Sequence, residues 1–355
     1  MDNPHDIDLL IVGQGLAGSL LAWHLLQRGR KILVIDDRHA SSASIAAAGL
    51  LVPVTGKRLV LDPQAALLLA EAMRLYQEFQ EQFGQAFYVA KPMVRLMQGE
   101  QDAATYARRH GDIHYQPYLG ERLNLDAYDL HAPEGGFVIR QTGYLAIRPL
   151  LESLRQYLID RDSYRDAHLE GRELQAESAG IRWQDVRARR VIFCDGYQAR
   201  TNPWFDWLPF QPAKGEILTV QCPHKLPDMI INAGSWLLPL GAQQYRFGAT
   251  YEWDVLDEQP TEQGKQRLLQ SLQTLLKNNS PCQVLDQVAG VRPGTLDKQP
   301  FIGLHPGQPQ LGIFNGFGSR GSLQIPLYAR IFAEYLCGAG QLPQAVDVRR
   351  YYQHV

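Results

Sequence analysis

The sequence lacks several features that would place it in a specialised class of protein. Its 355 residues include 35 basic and 37 acidic side chains, a formal charge of −2, so no global positive field favours nucleic acid or an anionic membrane. No apolar run approaches the roughly 18 residues that a membrane-spanning helix needs. Internal repeats and low-complexity tracts are also absent. We therefore expect a soluble globular protein without integral membrane association, and we do not expect nucleic acid as a partner.

Cysteine is scarce as well. The four cysteines are far apart and include no C-x-x-C pair: Cys194, Cys222, Cys282 and Cys337. This spacing excludes the usual zinc sites and gives no disulfide framework. The first residues, MDNPHDIDLLIVG, are acidic and lack the positive region of a signal peptide. A reducing cytoplasm is the expected location.

What the chain does contain is a glycine motif near its start. Residues 9–12 predict a short buried strand, and Gly13, Gly15 and Gly18 follow it with G-x-G-x-x-G spacing. In a dinucleotide site the first glycine makes a tight turn, and the second lets the backbone approach a pyrophosphate. The third lets the helix pack close to the sheet. Such a motif alone is weak evidence, so its surroundings decide its meaning.

The surroundings complete a βαβ unit. A helix is predicted over Leu16–Arg28 and a second strand over Lys31–Ile35, with Asp36 at the end of that strand. Asp36 stands 23 residues after Gly13, close to the offset of ~20 at which an acid binds a ribose. The start of the helix faces the phosphates. The unit therefore predicts a dinucleotide site, whose further contacts are Leu16, Ala17 and Asp37.

The next segment favours a flavin over NAD. SSASIAAAGLLVPV consists of small side chains without helical periodicity, and no second glycine motif follows it. Small side chains let the backbone lie against a large flat ligand. A flexible surface loop is the alternative, but the Ala and Leu content makes it the poorer one. The predicted flavin contacts in this stretch are Ser44, Ala48, Gly49 and Leu50.

Strand and helix patterns recur in the middle and at the end of the chain, with antiparallel stretches inserted between them. This interleaving predicts an α/β protein, α+β overall, with two discontinuous domains. The predicted Rossmann-like FAD-binding domain covers residues 1–86, 140–210 and 286–355. The predicted substrate-binding domain, mainly an antiparallel sheet, covers residues 87–139 and 211–285.

Nearly end to end, the chain resembles the FAD-dependent amine oxidases, the family that includes D-amino acid oxidase, glycine oxidase and sarcosine oxidase. The runs that carry the resemblance are GQGLAG with Asp36, SIAAAGL at 44–50, TGYLAIRPLLESL at 142–154, VIFCDG at 191–196, KGEIL at 214–218, WLLP at 236–239, RFGATYE at 246–252, GVRPGTLDKQPFIG at 290–303 and FNGFGSRG at 314–321. The G-x-R-P-G-T-x-D run is most similar to that of glycine oxidases.

The resemblance implies a role for Arg292, which lies between a Gly-Val and a Pro-Gly in an otherwise apolar run. It occupies the position of the family arginine that meets the substrate carboxylate above the flavin. A guanidinium fork suits this role because it binds a carboxylate through two parallel hydrogen bonds. An internal pair with Asp297 is the alternative. Trp236 and Tyr251 are candidate walls of the substrate pocket, although aromatic residues on strands are often simply core.

The resemblance also implies how the flavin is held. Asp195 and Gly196 follow a buried strand at the family's middle cofactor contact, although the family usually has small residues where Asp195 stands. The C-terminal turn would supply N–H groups from Gly316, Gly318 and Gly321 to the flavin N1–C2 carbonyl edge, helped by the following helix. Ser319 and Arg320 are further predicted contacts in this turn. No cysteine lies in GTLDKQPFIG, so FAD is predicted to be bound non-covalently.

The implied activity is oxidation of the CH–NH or CH–NH2 group of an amine or small amino acid by hydride transfer to flavin N5. Oxygen or another electron acceptor would reoxidise the flavin. No catalytic base is assigned, since little acid–base chemistry is needed when the amine binds neutral. Lys57 and Arg58 lie beside the presumed flavin loop, where oxidases of small substrates need no cations.

Two alternative functions stay open. One is a tRNA wobble-uridine-modifying oxidase, which Lys57, Arg58 and the cluster Arg187–Arg190 favour and the net charge opposes. The other is a flavoprotein dehydrogenase acting on another carboxylated substrate.

Overall fold

The structure is a computed structural model and describes residues 5–37, 42–170, 173–177, 180–277 and 281–354. Its strands are β1 His5–Val12, β2 Ile32–Asp36, β3 Leu50–Leu51, β4 Val54–Thr55, β5 Val60–Leu61, β6 Tyr88–Ala90, β7 Met93–Leu96, β8 Leu119–Leu123, β9 Gly136–Ile139, β10 Gly143–Leu145, β11 Tyr164–Asp166, β12 Gln175–Glu177, β13 Gly180–Trp183, β14 Val186–Phe193, β15 Ala213–Gln221, β16 Ile230–Ala233, β17 Ser235–Gly241, β18 Gln244–Gly248, β19 Gln283–Arg292, β20 Phe301–His305 and β21 Gln308–Asn315. Its α-helices are α1 Leu16–Leu26, α2 Ala43–Ala46, α3 Ala65–Phe83, α4 Glu100–His110, α5 Ile147–Ile159, α6 Glu262–Leu275 and α7 Gly321–Leu336. Short 3₁₀ helices cover Gly196–Thr201 and Val348–His354.

The chain divides into two compact units, each built from discontinuous segments. Unit 1 comprises Met1–Ala47, Ile147–Ala213 and Val291–Val355, and unit 2 comprises Ala48–Ala146 and Lys214–Gly290. The predicted domain boundaries stay a prediction. They differ from these units mainly over residues 48–86, which cluster with unit 2 in the structure.

Unit 1 is organised around parallel strands in the order β11-β2-β1-β14, with β21 added in parallel to β14. The antiparallel strands β13, β12 and β20 extend this sheet. Its central strands read as continuous apolar runs because both faces of a parallel sheet are covered. The helices α1 and α7 pack against each other. α1 is buried along most of its length, from Leu16 to Leu25.

Unit 2 is organised around an eight-stranded sheet in the order β19-β15-β18-β17-β16-β7-β9-β8. Most of its described pairings are antiparallel, whereas β16 and β7 run parallel. One row of paired residues crosses the sheet and lies in the core with α6; its members are Leu218, Phe247, Leu237, Ile231 and Val94. Because strand side chains alternate, the neighbouring row points to the opposite face.

These two sheets confirm the predicted fold class, a Rossmann-like parallel sheet interleaved with a mainly antiparallel one. Helix α3 ends at Gly84, which has the left-handed conformation with φ 66°. Strands β17 and β18 are joined through Ala242 and Gln243, which both have positive φ. No helix in the part of the chain that the structure describes is long and apolar enough to cross a bilayer.

The expectation that the cysteines do not pair is wrong. Cys222 and Cys282 form a disulfide in unit 2, with their Cα atoms 4.5 Å apart. They are separated by 60 residues in sequence, but β15 ends beside Cys222 and β19 begins beside Cys282, and these two strands are neighbours in the sheet. Spacing along the chain could not reveal this proximity. Cys194 and Cys337 are free thiols.

Candidate active site

The parallel strands of unit 1 end at one edge of their sheet, where the predicted nucleotide contacts collect. β1 leads into Gly13, β2 ends at Asp36, β14 leads into Asp195, and β21 ends at Asn315. Ligands of open α/β sheets bind outside the carboxyl ends of their strands. The structure therefore brings together, at one edge, residues from four separate parts of the sequence.

The glycine motif forms a turn that only glycines fit at two positions. Gly13 has φ 101°, and a Cβ there would lie 2.6 Å from the carbonyl oxygen of Cys194. A Cβ on Gly18 would collide with the carbonyl oxygen of Gly13. Without side chains at these glycines, the start of α1 lies close to the ends of β1 and β14. This is the close helix–sheet approach that a dinucleotide site requires.

Asp36 is fixed by the turn itself. The backbone N–H of Gln14 donates to its Oδ2 at 2.8 Å. The Gln14 side chain accepts a hydrogen bond from Arg155 Nε at 2.7 Å, and Arg155 Nη2 lies 3.9 Å from Asp36 Oδ1. Arg155 reaches this point because α5 packs against α1. The acid that is predicted to bind the ribose is thus oriented by two residues that the sequence patterns did not indicate.

Ser44 also lies at the start of α1. Its hydroxyl accepts a hydrogen bond from the Leu16 N–H at 3.1 Å. A Cβ on Gly15 would lie 3.2 Å from the same hydroxyl, a tight contact that a small shift could relieve. Ala17 follows in the first turn of α1. The structure therefore joins two predicted stretches, the glycine motif and the small-residue segment, within unit 1.

Asp37 occupies a different environment. Its Oδ2 lies 3.0 Å from His168 Nδ1, and the contact is at the surface of unit 1. Asp36 and Asp37 are neighbours in sequence, but a strand end points successive side chains in opposite directions. The glycine turn binds Asp36 through the Gln14 N–H.

Asp195 is a carboxylate at the same sheet edge with two amide partners. Asn315 Nδ2 donates to its Oδ1 at 3.0 Å, and Asn202 Nδ2 donates to its Oδ2 at 3.4 Å. Desolvation raises the pKa of Asp195 to about 6, because the lowering effect of these hydrogen bonds is smaller than that of burial. Asn315 Nδ2 also donates to the Gly196 carbonyl at 2.9 Å. The ends of β14 and β21 are tied together in this way.

The C-terminal glycine turn packs against the run that follows Arg292. Gly318 N–H donates to the Pro293 carbonyl at 3.1 Å, and a Cβ on Gly316 would lie 2.7 Å from Thr295 Cγ2. Gly316 and Gly318 both have positive φ, 85° and 54°. The structure thus places the end of β19, where Arg292 stands, beside the turn that leads into α7.

Two of the N–H groups in this turn that were predicted to donate to the flavin donate to other atoms of unit 1. The N–H of Gly316 donates to Asn315 Oδ1 at 2.8 Å, and that of Gly318 donates to Pro293. Arg320 N–H donates to the Phe317 carbonyl, while Ser319 is exposed. The remaining predicted donor, Gly321, is the first residue of α7.

Asp297, the acid considered as an internal partner of Arg292, is bound by another arginine. Arg350 Nε donates to Asp297 Oδ2 at 2.9 Å, and Gln299 N–H donates to Asp297 Oδ1 at 3.0 Å. Burial raises the pKa of Asp297, but the bonds from Arg350 and Gln299 and the nearby charge outweigh it and lower the pKa. The Arg350 guanidinium lies 4.9 Å from the Phe301 ring centroid, which further fixes it.

The remaining predicted residues belong to unit 2. Trp236 is half-buried on β17 and pairs with Gly248 on β18. Tyr251 is 52% exposed and stacks on Trp253 with ring centroids 6.0 Å apart. Lys57 and Arg58 are exposed in the turn between β4 and β5. In the small-residue segment, Ala48 is buried, Gly49 accepts a hydrogen bond from Leu145 N–H, and Leu50 lies in β3.

Two arginines of the basic cluster at 187–190 make ion pairs within unit 1. Arg187 Nε donates to Glu177 Oε2 at 2.7 Å, and Arg189 Nη1 lies 3.7 Å from Asp8 Oδ1. Arg190 donates to the Leu336 carbonyl at 3.5 Å. These contacts reduce the positive potential on which a nucleic-acid surface would depend.

The residues that the sequence patterns missed are Gln14, Arg155, Asn202 and Asn315. Gln14 is a variable position of the glycine motif, and Arg155 is one polar residue on an amphipathic helix. Of these four residues, Asn315 could have been found from the sequence, because a polar residue that ends an apolar strand often lies at a ligand-binding edge.

Comparison with known proteins identifies this arrangement. The family profile described as "DAO: FAD dependent oxidoreductase" matches residues 8–335. The chain belongs to this family. DAO-family proteins bind FAD, which confirms the predicted cofactor. The chain is 25% identical to the glycine oxidase of Geobacillus kaustophilus, over 93% of each protein.

Two further comparisons support the same relationship. The chain is 25% identical to the bifunctional protein ThiO/ThiG of Nostoc sp., covering 93% of this chain and 52% of that protein. It therefore spans about half the length of this bifunctional relative. The crystal structure of glycine oxidase from Geobacillus kaustophilus superposes with a TM-score of 0.79 at 22% identity, covering 98% of both chains. This structural match supports the fold.

The residues of unit 1 fit the nucleotide half of FAD. Gly13 and Gly18 exclude side chains from the turn, and Asp36 is oriented at the end of β2, where a ribose hydroxyl would meet it. Gly15 and the start of α1 would receive the pyrophosphate. FAD, when bound, would supply the electron-accepting ring for oxidoreductase chemistry.

Proposed function

We propose that this DAO-family oxidoreductase oxidises the C–N bond of an amine or small amino acid that carries a carboxylate. The observation that carries the proposal is the packing of Pro293 and Thr295, which closely follow Arg292 in the chain, against the C-terminal glycine turn. Similarity to glycine oxidase over 93% of each chain supports the choice of an amine. Binding of FAD without a covalent link is part of the proposal.

In this proposal, Arg292 holds the substrate through its carboxylate. Two parallel charge-assisted hydrogen bonds fix both the position and the angle of the α-carbon. The amine binds neutral, so the chain needs no strong base. The α-carbon would lose a hydride, with both electrons of the C–H bond, to the flavin, and the nitrogen would give up a proton to solvent. The resulting imine reacts with water, which breaks the C–N bond and releases a carbonyl compound and an amine or ammonia.

We assign stabilisation of the developing negative charge at the flavin N1–C2 edge to the first turn of α7. Gly321 begins that helix, and the N–H groups of a helix N-terminus carry partial positive charge. The Gly316 and Gly318 N–H groups shape the turn instead, because they bond to Asn315 and Pro293. Oxygen or another acceptor would take the two electrons afterwards. A cytoplasmic location stays part of the proposal.

Anaerobic reduction of the bound flavin tests the proposed function. Amines and amino acids are added one at a time to the yellow protein, and the loss of flavin absorbance is followed. The deaminated carboxylic acid of each compound is the control. We expect at least one carboxylated amine to bleach the flavin, and none of the deaminated acids to do so. If no amine reduces a flavin that dithionite does reduce, the amine-oxidation proposal is wrong.

tRNA retention on the protein tests the alternative substrate. Because Arg187 and Arg189 are ion-paired within unit 1, we expect no retention that depends on them. Retention at low salt that falls steeply with added salt would favour the tRNA-modifying function.

A further inference from the structure

A short hairpin and the turn that follows α4 meet at one side chain of unit 2. The hairpin consists of β4 and β5, and its turn carries Lys57 and Arg58. Tyr115, in the turn after α4, donates from its hydroxyl to the Leu59 carbonyl at 2.9 Å. The Leu61 N–H donates to the same hydroxyl at 3.4 Å. The hairpin and the turn therefore adjoin, although α3 and α4 lie between them in the sequence.

Each of these two elements exposes an aliphatic side chain. Val60 lies between the two residues that bond to the Tyr115 hydroxyl, and it is 52% exposed. Ile113 lies two residues before Tyr115 and is 67% exposed. Leaving an aliphatic side chain in water forgoes the free energy that its burial would supply. Two such side chains on adjoining elements suit contact with an apolar phase or partner.

Four cations accompany the aliphatic pair, two on the hairpin and two at the end of α4: Lys57, Arg58, Arg108 and Arg109. The guanidinium of Arg109 lies 4.8 Å from the Tyr115 ring centroid. Within the described part of the chain, none of the four makes an ion pair with a carboxylate. On the nearby helix α3, in contrast, Arg74 pairs with both Glu71 and Glu78. These four cations are therefore available to an external anion.

Acidic side chains in the same two segments do not cancel this charge. Residues 56–62 and 108–115 contain four Lys or Arg and two Asp, a net charge of +2 with His neutral. Both acids accept backbone N–H groups: Gln64 N–H donates to Asp62 Oδ1 at 2.8 Å, and His114 N–H donates to Asp112 Oδ1 at 3.0 Å. The surface is thus locally positive although the whole chain has a formal charge of −2.

The kind of apolar residue distinguishes between the anionic partners that such a surface could meet. Surfaces that bind single-stranded nucleic acid combine cations with exposed aromatic rings on which bases stack. The two segments contain one residue of the Phe, Trp and Tyr group, Tyr115, and it is only 6% exposed. Cations beside exposed aliphatic side chains match a lipid surface instead, with its anionic headgroups above an apolar layer.

We propose that this surface docks the protein reversibly on an anionic lipid bilayer. We call it the Tyr115 surface; its members are Lys57, Arg58, Val60, Arg108, Arg109 and Ile113. The cations would meet the headgroup phosphates, while the two aliphatic side chains would enter the boundary between headgroups and acyl chains. Such a peripheral contact needs no membrane-spanning helix, and it does not depend on the proposed reaction.

Co-sedimentation of the flavin-loaded protein with vesicles tests the inference. Vesicles of phosphatidylcholine alone are compared with vesicles of equal parts phosphatidylcholine and phosphatidylglycerol. At low salt we expect binding to the anionic vesicles to be at least about tenfold tighter, and we expect added salt to release the protein. A protein that stays in the supernatant with both kinds of vesicle at low salt would overturn the inference.

Charge variants test whether both elements contribute. Each lost cation should weaken binding to anionic vesicles about fivefold, so the effect should be about 25-fold for Lys57→Gln with Arg58→Gln and about fivefold for Arg108→Gln. The control, Lys225→Gln with Lys277→Gln, removes two exposed cations near Asp129 and should weaken binding less than about twofold. Melting temperatures verify that each variant is folded. A control that loses as much binding as the hairpin variant contradicts the proposal.

A variant of the aliphatic pair separates a membrane from other polyanions. Val60→Thr with Ile113→Thr keeps every charge and the β-branched shapes, and it should weaken vesicle binding about tenfold, because polar side chains enter the bilayer poorly. Leu285→Thr changes a 45% exposed side chain on β19 and should bind as the wild type does. If the threonine pair also binds like the wild type, the surface serves polyanions such as tRNA and the membrane assignment is wrong.

Discussion

The nucleotide edge of unit 1 and the hydrogen bond from Arg95 to Asn232 in unit 2 are assembled in different ways. Gln14 and Asp36 are hydrogen-bonded and stand only 22 residues apart, within one βαβ unit. Arg95 and Asn232 are bonded across 137 residues of sequence, through the parallel pairing of β7 with β16. A local sequence motif predicts the nucleotide edge. The Arg95–Asn232 bond depends on strand order and register, which leave no local pattern.

The largest effect is expected where the local motif is tightest. Gly15→Val should give a folded protein that retains no FAD, because Cβ meets only the Ser44 hydroxyl in the protein but occupies the space predicted for the pyrophosphate. Gly18→Val should fail to fold, since its Cβ collides with backbone. Flavin content after gel filtration and circular dichroism distinguish these outcomes.

Gly29→Asn is the matched control for these glycine variants. Gly29 has φ 69°, which asparagine tolerates, and a Cβ there meets nothing within 4 Å. It should keep both fold and flavin. A yellow Gly15→Val protein would show that the glycine turn does not hold the pyrophosphate.

The next effect concerns Arg292. Arg292→Ala should weaken the binding of small carboxylates by roughly two to three orders of magnitude, because removing one partner of a buried charge pair costs about 3–5 kcal/mol. Arg292→Lys should recover only part of the affinity, since the ammonium lacks the fork. The flavin should stay bound in both variants. Titration of the flavin absorption band with acetate measures the change.

Arg350→Ala provides the comparison. It breaks the ion pair with Asp297 and should lower the melting temperature while leaving carboxylate titrations unchanged. If Arg292→Ala behaves in the same way, its role is structural and the carboxylate clamp must be abandoned.

A smaller effect, one of pH, is expected at Asp195. Its pKa rises from 3.8 in the unfolded chain to about 6 in the folded protein. Above pH 6 the ionised, buried carboxylate therefore lowers the free energy of unfolding. That cost disappears as the pH falls from 6 toward 3.8. Asp195→Asn should therefore raise the free energy of unfolding by roughly 1–3 kcal/mol at pH 8, with the gain shrinking toward pH 4.

Urea unfolding of the apoprotein at several pH values measures this difference without the cofactor. Asp206→Asn removes an exposed acid from unit 1 and should change the profile little. If Asp195→Asn raises the free energy of unfolding equally at pH 4 and pH 8, packing rather than the buried charge is responsible.

The smallest effect is expected for Lys57 and Arg58. Replacing both with Ala should change flavin retention and acetate binding less than about twofold, since exposed charges contribute little. A larger or more anionic substrate should be weakened more than acetate. Equal losses for both ligand sizes would instead indicate that the pair supports the loop or the flavin.

The sequence by itself determined the Rossmann-like unit, the glycine turn and Asp36, because a βαβ unit closes over some 30 residues and each glycine has a local steric reason. It also indicated two interleaved sheets. It could not show that Arg155 reaches Gln14, since that contact depends on how α5 packs on α1.

Only the tertiary structure decided which residues separated by long stretches of chain become neighbours. The disulfide between Cys222 and Cys282, the pairing of Asp297 with Arg350, and the bond from Arg95 to Asn232 all follow from strand order or chain packing. A shift of one residue in register would turn Arg95 to the α6 face of the sheet. Contacts of this kind are fixed by the burial of whole sheets, which no local stretch of sequence encodes.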